Sequence, residues 1–115
     1  MAGANFLNFH SIVDGDMSGN ITGDAMECRQ FLGHGAQAIW SGTSPAGTVF
    51  YQISNDGGST WTSITGGSTV SGNSGSDIPD SLTDAIWLVQ CELMRAIYTR
   101  TSGTGTLNVY LIGRG

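Results

Sequence analysis

The chain has 115 residues, enough for one domain with a real core and too few for a second. Charged residues make up 11% and hydrophobic ones 39%, with 18 glycines, two prolines and a net charge of −5, the composition of a folded, turn-dense β domain. The absence of lysine and the scatter of Arg29, Arg95, Arg100 and Arg114 exclude a phosphate-loop or Schiff-base lysine and argue against nucleic-acid binding, and no run of about 18 apolar residues offers a membrane helix.

In chain order, residues 1–8 lack the charged start and long apolar stretch of a signal peptide, so synthesis in the cytoplasm is expected. Residues 4–13 read as an edge strand or as an N-terminal arm over 1–13 laid on a neighbour. Phe6, Leu7 and Phe9 crowd three large apolar side chains beside the terminus and are the candidate assembly contacts. Asp14, Asp16 and Ser18, followed by Gly19, match the first half of an EF-hand loop. The closing position holds Ala25, however, and Glu27 comes two residues late, so calcium competes with a plain Asx-type turn.

Alternation predicts strands over 26–32, 36–41 and 47–54, with Gly33-His34-Gly35 an exposed turn and 42–47 a loop. The Asn55-Asp56-Gly57-Gly58 stretch is turn chemistry, and 61–64 returns as a strand, making a hairpin. Residues 65–81, rich in Gly, Ser and Thr, read as a long surface loop. Residues 85–93 suit a buried strand, and 95–101 with 106–112 predict a hairpin turning over 102–105. No segment keeps a helical period. The expected fold is all-β: a single antiparallel β-sandwich or jelly roll of seven to nine short strands spanning 1–115.

The candidates for chemistry are sparse. His10 and His34 are the only histidines, and no Gly-x-Ser-x-Gly elbow accompanies them. Cys28 and Cys91 stand 63 positions apart; a cytoplasmic product is expected to keep them as two buried thiols rather than a disulfide, and they supply no short ligand pair for zinc. The seven aspartates, Asp14, Asp16, Asp24, Asp56, Asp77, Asp80 and Asp84, fall in predicted turns and loops. Gly103-Thr104-Gly105 lacks the third glycine of a dinucleotide loop. Trp40, Trp61 and Trp87 are either core residues or a sugar-stacking platform. No catalytic residue, cofactor or metal centre is expected, and the protein is not expected to be an enzyme.

Ser54, Asp56, Gly58 and Trp61 fall on the S-x-D-x-G-x-x-W spacing and resemble the Asp-box, a structural hairpin motif of sialidases and many other β proteins. A propeller blade needs about 40–50 residues, so a sialidase propeller does not fit the length. The succession of 17–22, 37–42, 45–48, 52–57 with Trp61, and 95–107 resembles small β-sandwich virion proteins of tailed bacteriophages, which decorate or cement capsids or serve as tail accessories. That resemblance implies a virion protein made in the host cytoplasm. It also implies contacts with the major capsid protein or other virion proteins, and a homo-oligomer such as a trimer. A carbohydrate-binding module and a tail adhesion protein are the alternatives.

Overall fold

A computed structural model describes residues 6–31, 33–78 and 91–114. Among these residues seven strands follow one another: β1 (Phe6–Asp16), β2 (Ile21–Thr22), β3 (Met26–Glu27), β4 (Gly33–Ser54), β5 (Thr62–Val70), β6 (Ser74–Asp77) and β7 (Leu93–Arg114). All pairings are antiparallel, in the order β1-β7-β4-β5, with β2 and β3 on β7 and β6 on β4. The all-β antiparallel expectation holds. Two of the strands, however, are not short.

β4 and β7 each run for 22 residues and pair along nearly their whole length, from Gly33↔Arg114 to Ser54↔Leu93. The loop predicted over 42–47 and the hairpin predicted over 102–105 are therefore absent. These stretches face each other as the irregular middle of one ladder, where the register shifts between Thr43 and Gly47. The local residues explain the irregularity. Pro45 has no N–H to give the ladder, Ser44 takes a left-handed φ of 48°, and Gly103 sits at φ 78° where a Cβ would run into the Ser44 carbonyl.

This break sets which side chains face inward. Before it β4 buries His34, Ala36, Ala38 and Trp40; after it Val49 and Tyr51. On β7 the inward set changes from Met94, Ala96 and Tyr98 to Leu107, Val109 and Leu111. On both strands even positions give way to odd ones, so both halves of each strand serve one core. Without the shift, half of each strand would turn its apolar side to water. The Tyr98 hydroxyl donates to the Ala46 carbonyl at the bend.

One half thus holds β1, the end of β7, the start of β4 and β6; the other holds β2, β3, the start of β7, the end of β4 and β5. The least dimension, 23 Å, suits two layers. Small residues on β4 face large ones on β7, Ala36 opposite Leu111 and Ala38 opposite Val109, so the core fills without overlap. Ser11 ties the layers: its Oγ donates to the Asp24 carbonyl at 2.7 Å and accepts from the Ala96 N–H at 3.2 Å. Trp40 Nε1 donates to the Ser71 carbonyl.

Other expectations change. Residues 65–78, read as loop, carry most of β5 and all of β6, and Ser68 and Val70 are buried. Edge strands need only backbone bonds and an occasional inward side chain, so a Gly/Ser/Thr stretch suffices there. Of the described residues 26–31 in the predicted strand 26–32, only Met26–Glu27 is strand; the chain then turns, with Phe31 N–H bonding the Cys28 carbonyl. Residues 6–13 belong to β1, hydrogen-bonded to β7 of the same chain. Residues 85–90 of the strand predicted over 85–93, with Trp87, Asp80, Asp84 and the end of the 65–81 stretch, lie outside the described residues.

Candidate functional site

Two polar constellations stand out, one exposed and one buried. The exposed one is the turn between β4 and β5. Ser54 Oγ donates to Asp56 Oδ1 at 2.8 Å, the Thr60 N–H to the same oxygen at 2.9 Å, and the Gly58 N–H to Ser54 Oγ at 2.9 Å. Gly57 and Gly58 take φ of 74° and 92°, which a Cβ would oppose. The Thr60 backbone N–H, then the Ser54 hydroxyl, hold the Asp56 carboxyl below its usual range.

Glu92, which carried no signal in the sequence, clamps this turn to the start of β7. Its Oε1 accepts from the Gly57 N–H at 2.7 Å, and its own N–H donates to Asn55 Oδ1 at 2.8 Å. Trp61 is half-buried rather than a core plug, with the Arg95 guanidinium 4.1 Å above its ring. Trp40 is buried. These two indoles do not form a shared exposed platform.

The candidate calcium residues lie where β1 ends, not in an open loop. Asp14 has φ 47° and its N–H donates to Asn108 Oδ1, while Asp16 Oδ1 accepts from the Ser18 N–H at 3.0 Å, an Asx-type turn. That bond lowers the Asp16 pKa. Of the candidate assembly residues, Leu7 and Phe9 are partly buried against the chain's own core, and Phe6 pairs with Arg114.

The buried constellation is Cys28, His34 and Cys91. The β3–β7 register, Met26↔Met94 and Glu27↔Leu93, continues into a bond from the Cys28 N–H to the Glu92 carbonyl, which brings Cys28 beside Cys91. His34, predicted as an exposed turn residue, is instead the first inward residue of β4, paired with Gly113 and only 6% exposed. The two sulfurs and a ring nitrogen lie within 4.8 Å of one another. Both cysteines are free thiols, and Cys28 donates to the Cys91 carbonyl at 3.1 Å.

Neither nitrogen of His34 has a hydrogen-bond partner among the described residues. The Cys91 sulfur, facing the Cys28 thiol first and His34 second, is drawn below the ordinary thiol range against its burial. Cys28 is pushed up by Cys91, then by burial, with the charges of Glu27 and Glu92 adding. Of the pair's two protons, one leaves readily and the other is held. A shallow cleft of about 440 Å³, lined by Arg29, Asn55, Cys91 and Glu92, opens beside it. His10, the other histidine, is remote from this chemistry: it stacks on Tyr110 at 4.2 Å and meets Asn108 Oδ1.

No family model matches the chain, and no curated protein matches it in sequence. Two solved structures are similar to it in fold. One is a chain in the structure of infectious bursal disease virus, Gx strain, at 9% identity and a TM-score of 0.56. The likeness covers 96% of this chain but 32% of that one, so this chain spans about a third of its length. The other is the SPBc2 prophage-derived protein YomS, at 14% identity and a TM-score of 0.53, covering 100% of this chain and 97% of that one. At such identities the likeness is one of fold.

Proposed function

We propose that this chain is a non-enzymatic structural protein of a virion, a decoration or cement subunit that binds the shell surface of a phage head. The observation that carries the reading is the fold shared, end to end, with a prophage-derived protein and, in part, with a chain of a virus structure. A folded β-sandwich with few charges acts by presenting surface, and burial across a capsid joint raises the free energy of opening the shell. The partners in this reading are the major capsid protein or other virion proteins, with further copies of the chain, as in a trimer. Among the described residues β1 ends the strand order, so its outer backbone edge, with exposed Val13 and what Leu7 and Phe9 leave uncovered, is the surface on offer.

The test is electron cryo-microscopy of particles that carry this chain, with co-sedimentation on particles stripped of it. Density for this fold on the head and saturable rebinding are expected. Density at the tail would move the role to a tail accessory. No density and no rebinding would overturn the virion reading.

A further inference from the structure

We propose that Cys28, His34 and Cys91 are the ligands of one thiophilic transition-metal ion, with Zn²⁺ as the fitting cation. Three separate segments supply the donors: the β3–β4 connection, the start of β4 and the approach to β7. In tetrahedral zinc geometry, bonds of about 2.3 Å to sulfur and 2.0 Å to nitrogen place the ligand atoms roughly 3.5–3.8 Å apart. Donors already within 4.8 Å have about 1 Å to close to reach that spacing.

The imidazole is the second, independent observation. A buried polar group without a partner costs about 1–3 kcal/mol, and His34 has two such nitrogens. A bond to a metal removes one of these costs. A disulfide between Cys28 and Cys91 would leave both. Charge points the same way, because two thiolates and one Zn²⁺ sum to zero, whereas a lone buried thiolate is an uncompensated charge. The cleft at Cys91 gives the ion a way in and a place for water as fourth ligand. The centre would pin together the start of β4 and the start of β7.

The experiment uses the full-length chain, reduced and stripped with a chelator, titrated anaerobically with Co²⁺ and then Zn²⁺. The expected result is one equivalent of Co²⁺, with thiolate-to-cobalt charge-transfer bands and intense tetrahedral ligand-field bands that Zn²⁺ bleaches. Bound Zn²⁺ should also shield both thiols from alkylation, read by mass spectrometry on the unmutated chain. Cys28→Ser, Cys91→Ser and His34→Gln should each weaken binding by about 100-fold or more, since even indirect partners of a metal site cost 10–100-fold. Reduced thiols with no charge-transfer band would overturn the proposal. So would a folded His34→Gln chain with an unchanged cobalt spectrum, or a native chain lighter by two hydrogens that takes up no metal.

Discussion

The turn at 54–61 and the Cys28–His34–Cys91 cluster treat polar atoms in opposite ways. In the turn, one carboxylate and one hydroxyl absorb several N–H groups from within six residues, and the carboxylate stays in water. In the cluster, Cys28 and His34, six positions apart, meet Cys91 from far along the chain and away from water, and an imidazole is left without a hydrogen bond. Local bonds fix the shape of a turn whatever else the chain does. A convergent buried cluster exists only once the sheet has folded, and its unmet valences have to be met by something that arrives afterwards. The first arrangement suits scaffolding. The second suits a ligand.

Metal removal should separate the two regions by the widest margin. At Zn²⁺ a thousand times above its dissociation constant, the reduced chain should gain about 4 kcal/mol against unfolding. Denaturant midpoints with and without chelator would show it. An identical midpoint in both conditions would make the cluster no more than packed side chains, and the contrast with the turn would collapse.

Gly113→Ala probes the cluster without touching a ligand. An added Cβ would strike the Phe31 ring, and Gly113 pairs with His34, so overpacking should cost about 1–3 kcal/mol. Thermal melts would measure this, and a weakened cobalt spectrum would show His34 displaced with it. On the other side of the comparison, Trp61→Ala should cost about 1–2 kcal/mol, from half-burial and the lost Arg95 contact. A loss above about 3 kcal/mol, the range for fully buried aromatics, would mean that the turn is part of the core.

The same contrast explains what could be read in advance. Turn residues at 55–58 announce themselves because their bonds are local, and inward alternation at Val49, Tyr51, Leu107, Val109 and Leu111 announces the core. Gly42, Pro45, Gly103 and Gly105 signal a break in the chain, but composition cannot tell a loop from a shared kink in two long paired strands. Only the partner decides that. His34 between two glycines looks like a turn; its burial follows from the register with Gly113, 79 positions on, which no local pattern carries. The cysteines are 63 positions apart, and only the β3–β7 register closes that distance. Glu92 and the asparagine side chains Asn20, Asn55, Asn73 and Asn108, which accept backbone N–H groups across the fold, were invisible for the same reason.

The smallest effect belongs to acid and the turn. Asp56 titrates below its unfolded value because the Thr60 N–H and the Ser54 hydroxyl bond its charged form. A carboxyl with a depressed folded pKa stabilises the fold fully above the unfolded value, near 4. That contribution drains away as pH falls through the folded pKa, when the carboxylate takes up a proton and releases its donors. Asp16 behaves in the same sense through Ser18. Both carboxyls are exposed, so the loss should appear as local fraying and not as global unfolding. Amide resonances of Ser18, Gly58 and Thr60, followed by NMR from pH 7 downwards, should hold to about pH 4 and then shift together with their carboxylates. In an Asp56→Asn chain the Thr60 response should vanish while that of Ser18 persists. A Thr60 amide that moves near pH 6 instead would assign the turn's stability to another group and cancel the local reading of 54–61.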